Sequence, residues 1–175
     1  QSTPCAPGRA GLYTGMYQMN HRVVANGTPL DDRFDNVARL AQRSGRQGAL
    51  FGYTDQSVDP RITLTADDPR LQTYEGLLPG FTWELDLTGP HRPWVDFLKA
   101  NGYDVSAGHM HLLATEHERP VEHSVSRFMT DHLIDWLQNQ TTTTQAPWFA
   151  HASYLPPLPP YSASRAFASM YEPAE

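Results

Sequence analysis

Cys5, the only cysteine in the chain, is followed two residues later by Pro7 and four later by Arg9. A free cysteine packs readily as a small apolar residue, and it turns reactive where its surroundings are electropositive. The spacing supplies such surroundings. Pro7 is preorganised for the first turn of a helix over residues 7–14, where its missing N–H costs nothing. Cys5 then stands at the helix entrance, where unpaired N–H groups and the dipole favour an anion. Arg9, one turn on, adds a fixed charge, and a buried arginine needs an anionic partner. A helix start and an arginine together form an oxyanion site. Among the eight histidines, His109 and His111 of Gly-His-Met-His would share a face of a strand, but two ligands without a completing Asp, Glu or Cys do not make a metal site.

The elements that must position these groups belong to an α/β pattern. Fifteen prolines and twelve glycines cut the chain into short helix-like and strand-like segments, with no internal repeat. Phe34, Val37, Leu40 and Ala41 fall at helical spacing, with Asp31 and Asp32 as cap candidates and Gly45 as terminator. Residues 49–53 read as a buried strand ending at Tyr53, and the middle, with the turn-rich stretches 59–70 and 77–93, reads mostly as loop with minor strands. A helix enters at Pro93 with Trp94, Phe97 and Leu98 on one face, and leaves at Asn101-Gly102. Ser124 caps a longer helix whose stripe is Val125, Phe128, Met129, His132, Leu133, Trp136 and Leu137. The threonine run from 141 reads as a solvated turn. Residues 148–155, apolar on both alternating faces, read as a central strand containing a packed His151, and ligands bind beyond the carboxyl ends of such strands. Residues 156–161 read as extended because of their prolines. A last helix starts near Ser162 or Ser164 and includes Phe167, Met170 and Tyr171.

The bulk numbers exclude several classes. At 175 residues the chain suits one domain. A formal charge of -6 gives no electrostatic case for nucleic acid or an anionic membrane surface. A single cysteine cannot form an internal disulfide, and no apolar run approaches the ~20 residues of a membrane span. With no signal peptide ahead of the motif, a cytoplasmic location is expected. A start at Gln1, four residues before the motif, reads as a piece of a longer sequence.

Cys5-x-Pro7-x-Arg9, continued by Ala10-Gly11-Leu12-Tyr13-Thr14-Gly15, resembles the sulfatase signature, in which the cysteine is oxidised after synthesis to formylglycine by an enzyme that reads Cys-x-Pro-x-Arg. The run from Tyr13 through Leu50-Phe51-Gly52-Tyr53-Thr54-Asp55 to Asp59-Pro60-Arg61 is most similar to the phosphonate monoester hydrolase and related sulfatase branch of the alkaline phosphatase superfamily. The likeness extends with gaps to residues 148–155 and 170–173. It implies a three-layer α/β/α alkaline-phosphatase-like fold, present over 1–175 as a partial domain with an incomplete mixed sheet flanked by helices.

The activity implied is hydrolysis of phosphonate monoesters, phosphodiesters or sulfate esters, dependent on a divalent metal ion (Ca, Mn or Mg) and on formylglycine derived from Cys5. Hydrated formylglycine is a geminal diol, one oxygen of which attacks phosphorus or sulfur while the second later expels the transferred group. By motif, Cys5 is the nucleophile precursor and a metal ligand, and Arg9 its electrostatic support. Asn26 is implied to contact a non-bridging substrate oxygen, although Asn-Gly by itself reads as a turn. Tyr53 and Thr54 are implied as hydroxyl-bearing substrate contacts. The partners implied are a small anionic ester, the formylglycine-generating enzyme for maturation, and a second copy in a homo-oligomer of the full-length protein.

Three departures accompany the resemblance. The other metal ligands of the family, aspartates upstream and an Asp-His or Asp-Asn pair downstream, are expected outside residues 1–175. Where the family shows Arg-Pro-His-Pro-Pro, this chain has Leu158 within Leu155-Pro156-Pro157-Leu158-Pro159-Pro160. Leucine moves no proton, a loss of roughly 10²–10⁴ in rate if the histidine is the general acid. Lys99 is the only lysine, whereas many arylsulfatases place lysines around sulfate, which favours the phosphonate or phosphodiester branch. The alternatives are an arylsulfatase proper, or a non-catalytic homologue that keeps the fold and binds an anion or a partner.

Overall fold

A computed structural model describes residues 2–62, 65–143 and 147–171. In chain order its elements are α1 (Cys5–Thr14), α2 (Gln18–His21), α3 (Val37–Arg43), β1 (Gln47–Gly52), β2 (Thr82–Asp86), α4 (Arg92–Ala100), α5 (His109–Ala114), α6 (Val125–Thr143), β3 (Trp148–Ala152) and α7 (Arg165–Ala168). They form two compact units: Gln1–Glu84 with Gln145–Ser153, and Leu85–Thr144 with Tyr154–Glu175. The strands line up in the order β2, β1, β3, and β1 and β3 run parallel from Gln47 opposite Trp148 to Phe51 opposite Ala152.

In the first unit, α1 starts two residues earlier than Pro7 alone predicts and ends at Gly15, whose left-handed φ of 70° lets its N–H reach the Gly11 carbonyl at 2.9 Å. Ala6, Ala10 and Tyr13 recur at helical spacing on the buried face of α1. They pack with Val23, Leu30, Ala38, Leu50, Leu78 and Phe81. The two alanines let the α1 backbone lie close to its neighbours, and burial of apolar surface at roughly 25 cal/mol per Å² holds it there. Residues Gly48–Gly52 of β1 are all buried, as expected of a strand covered on both faces. The central place in the sheet belongs to β1; β3, expected to be central, is half-buried along most of its length.

The start of α3 differs from the expectation. Its cap is Asn36, whose Oδ1 accepts from the Ala38 and Arg39 amides at 2.9 and 3.0 Å. Asp31 and Asp32 are occupied elsewhere, Asp31 by the Arg33 amide and Asp32 by the Arg39 guanidinium. Residues 31–35 therefore turn before the helix begins, and Gly45 still ends it. Among the described residues of 56–93, one strand forms, β2, with 3-10 turns at Pro60–Ile62 and Pro69–Gln72.

In the second unit, α4 and α6 follow the sequence reading. Trp94 and Leu98 are buried, and the Ser124 hydroxyl accepts from the Arg127 amide at 3.2 Å. Val125, Phe128 and Met129 form the buried part of the α6 stripe, and His132 lies against Phe128 with ring centroids 4.3 Å apart. The helix continues into the threonine run as far as Thr143, because threonine lowers helix propensity without breaking a helix. Thr144 and Gln145 lie outside the described residues. The Gly-His-Met-His stretch is helical, so His109 and His111 diverge by two residues' rotation instead of sharing a face. Residues 156–160 turn: the Leu158 amide meets the Leu155 carbonyl at 3.2 Å, a geometry that proline's fixed φ permits as readily as an extended one. Ser164 precedes α7, which ends at Ala168, so Met170 and Tyr171 lie beyond it and are exposed. Residues 172–173, the end of the resemblance, lie outside the described residues.

Candidate functional site

The start of α1 places Cys5 as its first helical residue, half-buried. The amides behind it are largely partnered. The Gly8 amide donates to the Pro4 carbonyl at 3.2 Å, Pro7 has no N–H, and the Ala6 amide donates to Asn26 Oδ1 at 2.9 Å. Asn26, an exposed residue twenty positions away, thus caps α1 from outside, an interaction worth about 1 kcal/mol. The unpaired amides expected from the sequence are therefore fewer than a bare helix end would offer. Positive character at this point comes from the helix dipole and Arg9.

Arg9 reaches from α1 to the carboxyl ends of both parallel strands. Its Nη1 donates to the Ser153 hydroxyl at 2.5 Å and to the Tyr53 carbonyl at 3.3 Å. The guanidinium carbon lies 5.1 Å from the centroid of the Tyr53 ring, within cation–π range. Burial works against the charge, but Tyr13, Tyr53 and Asp55 outweigh it and raise the Arg9 pKa. Burial pushes the Tyr53 phenol up to about 12 against the pull of Arg9, so it is a neutral hydroxyl at ordinary pH. Tyr13 meets His151 Nε2 at 3.2 Å, and burial followed by Arg9 lowers the His151 pKa, which keeps that ring neutral. His151 is the satisfied strand histidine the sequence suggests.

The loop after β1 is tied down residue by residue. Thr54 is fully buried; its hydroxyl donates to the Gly76 carbonyl and accepts from the Leu78 amide, both at 2.9 Å. Asp55 follows with a left-handed φ of 56°, 3% exposed, and its amide donates to the Glu75 carbonyl at 2.7 Å. Gln56 Nε2 donates to the Ala6 carbonyl at 2.9 Å and the Asp55 carbonyl at 3.0 Å, clamping this loop to the start of α1. Burial raises the Asp55 pKa, and Arg9 draws it partly back.

Of the residues singled out in the sequence, Cys5, Arg9, Asn26 and Tyr53 meet around the start of α1. Thr54 stands beside them with its hydroxyl turned to residues 76 and 78. Asp55, Gln56 and Ser153 were not legible as site residues. Asp55 and Gln56 continue the strand-end run Tyr-Thr, and Ser153 follows the strand whose end was expected to bear ligands. Among the described residues, no group of three or more His, Cys, Asp and Glu side chains could hold a metal ion. In the second unit, Leu158 is exposed and lines an open groove of about 640 Å³ with Leu113, His117, Tyr161 and Phe167.

No protein-family model matches the chain. It is 32% identical, over 97% of its length, to the multifunctional alkaline phosphatase superfamily protein PehA of Trinickia caryophylli, of which it covers 34%. It is similar to the crystal structure of the phosphonate monoester hydrolase of Agrobacterium radiobacter, with a TM-score of 0.86 and 40% identity over 98% of this chain and 35% of that one. It is likewise similar to the phosphonate monoester hydrolase SpPMH from Silicibacter pomeroyi, with a TM-score of 0.85, 34% identity and the same two coverages. The chain thus spans about a third of the length of these relatives, and the likeness shows the expected fold class, an incomplete alkaline-phosphatase-like α/β arrangement. Along nearly its whole length, then, the chain is homologous to proteins of the alkaline phosphatase superfamily, phosphonate monoester hydrolases among them.

Proposed function

We propose that this chain is the nucleophile-bearing part of a hydrolase of small anionic esters, phosphonate monoesters first, with phosphodiesters and sulfate esters as related substrates. The observation that carries the reading is the convergence at the start of α1: Cys5 on the helix end, Asn26 holding the Ala6 amide, and Arg9 fixed between Tyr53 and Ser153. Such an arrangement orients an anion by a fixed charge and a helix dipole, and preorganised charge of this kind is a large term in transition-state stabilisation. The two solved structures named above, similar over 98% of this chain, are phosphonate monoester hydrolases.

In this reading Cys5 is converted to formylglycine by a formylglycine-generating enzyme. A divalent cation supplies Lewis-acid chemistry once bound, its further ligands lying outside the described residues. Arg9 holds the non-bridging oxygens, Asn26 keeps the helix end aligned and offers its amide N–H groups, and Tyr53 covers Arg9 with a neutral ring. Thr54 fixes the loop on which Tyr53 stands. Lys99, the single lysine, is exposed on α4, and this favours the phosphonate branch over an arylsulfatase proper.

The test is a comparison of kcat/KM for the matured full-length protein on an aryl phosphonate monoester, an aryl phosphodiester and an aryl sulfate, with Cys5→Ala as the control. Turnover of the phosphonate monoester, lost in Cys5→Ala, is expected. Equal residual rates in the two proteins would mean a non-catalytic homologue, and a preference for the sulfate would mean an arylsulfatase.

A further inference from the structure

Gln56, in the loop that follows β1, is 2% exposed. Its Nε2 faces two carbonyls, donating to Ala6 at 2.9 Å and to Asp55 at 3.0 Å. Two acceptors on one side decide which end of the amide is the nitrogen. The other end, Oε1, is buried and meets no donor among the described residues. An unpaired buried acceptor costs stability, and a methionine of nearly the same shape would bury none. What glutamine supplies at this position is therefore its donor end.

Each peptide group around residue 5 has its own hold. The Pro4 carbonyl, in the plane that enters residue 5, accepts from the Gly8 amide at 3.2 Å. The Ala6 amide, in the plane that leaves it, donates to Asn26 Oδ1 at 2.9 Å. The Ala6 carbonyl, in the plane after that, is the one Gln56 holds. A peptide group is planar, so anchoring it fixes the Cα atoms at both its ends. The first two planes share the Cα of Cys5, and the third settles the torsions of Ala6, so together they give the Cα–Cβ bond of residue 5 one direction. Asn26 is exposed and its bond competes with water, whereas Gln56 and Ala6 are both buried, which makes the Gln56 bond the firmer hold. Arg9 is fixed separately, by the Ser153 hydroxyl and the Tyr53 carbonyl.

We propose that Gln56 is a positioning residue, which through the Ala6 carbonyl sets the direction of the residue 5 side chain toward a bound ester. The inference rests on the ester-hydrolase reading above. It invokes no charge at residue 5 and no contact between Gln56 and substrate. A nucleophile turned slightly out of its attack geometry lowers kcat, while the seat of the anion at Arg9 and hence KM stay as they are.

The test uses the full-length protein, the variants Gln56→Met and Gln56→Ala, and Asn36→Ala as a control that removes the α3 cap instead. In matured protein, kcat on an aryl phosphonate monoester is expressed per formylglycine, counted from the mass of the residue 5 peptide, so that incomplete maturation is not read as slow turnover. It is expected to fall about tenfold in both Gln56 variants with KM within about twofold of wild type, and to stay near wild type in the control. In protein made without the maturing enzyme, alkylation of the Cys5 thiol by iodoacetamide, followed on the same peptide, is expected to be several times faster in the Gln56 variants and unchanged in the control. An unchanged kcat per formylglycine, an equal fall in the control, or unfolding of both Gln56 variants would overturn the proposal. If the wild-type protein hydrolyses no ester at all, the hydrolase reading falls, and the alkylation rates still decide the role of Gln56, equal rates overturning it.

Discussion

Arg9, one turn into α1, donates to the hydroxyl of Ser153 at 2.5 Å across a sequence separation of 144 residues. The bond joins the helix that begins at Cys5 to the end of β3, and through the Tyr53 carbonyl the same guanidinium reaches the end of β1. The cradle is therefore a property of the folded sheet as much as of the Cys-x-Pro-x-Arg segment.

Gly52 guards that bond. It stands at the end of β1 with φ 99°, and a Cβ there would come within 2.5 Å of the Ser153 carbonyl oxygen. Gly52→Ala is expected to destabilise the fold by about 2 kcal/mol or more through backbone strain and displacement of residue 153. Urea unfolding reads this directly. The variant should also lose kcat/KM in the full-length protein.

Asn26 has two separable roles. Asn26→Ala removes the acceptor for the Ala6 amide and is expected to cost about 1 kcal/mol of stability. Asn26→Asp keeps the acceptor and loses the donors, so its unfolding midpoint should stay near wild type while KM for an anionic ester rises. Equal losses of stability in the two variants would contradict the cap.

Thr54 is a tether whose loss leaves one buried amide without a partner and weakens the hold on a buried carbonyl. Thr54→Val, close to isosteric, strands the Leu78 amide and leaves the Gly76 carbonyl only the Thr54 amide, at 3.4 Å. A destabilisation of about 2 kcal/mol is expected, visible as a lower urea midpoint with an unchanged slope. A neutral outcome would mean that residues 76–78 are held by other contacts.

His91 makes the fold sensitive to acid. Burial first, and His109 at a ring distance of 5.3 Å second, lower its pKa to about 4. Between the ordinary histidine value of about 6.5 and that value, the unfolded chain binds a proton that the folded chain refuses. Stability from this group is complete above the ordinary value and is lost as pH falls through it toward the folded value. His91→Asn suits the φ of 54° at this position and should lose less stability than wild type between pH 7 and about 5, measured by urea midpoints.

The sequence was most informative where one local signal decided the outcome. Pro7 falls in the first turn of α1, Pro93 and Asn101-Gly102 bracket α4, and Ser124 starts α6, each through backbone chemistry within a turn. It was least informative where side chains had competing partners. Asp31 and Asp32 look like caps, but Arg33 and Arg39 engage them, and the cap passes to Asn36. The partners of Arg9 and the cap of α1 come from residues 153 and 26, which no periodicity links to the motif. Gln56 reads as an ordinary loop residue after a strand, and only the fold brings its amide to the Ala6 carbonyl fifty positions away.

The most direct measurement is the mass of the peptide carrying Cys5, taken from the full-length protein co-expressed with a formylglycine-generating enzyme. Exchange of the thiol's sulfur and two hydrogens for one oxygen predicts a loss of about 18 Da at residue 5, abolished by Cys5→Ala and reduced by Arg9→Ala, which disrupts the recognition motif. An unmodified cysteine in a folded, soluble full-length protein would contradict the formylglycine hydrolase account.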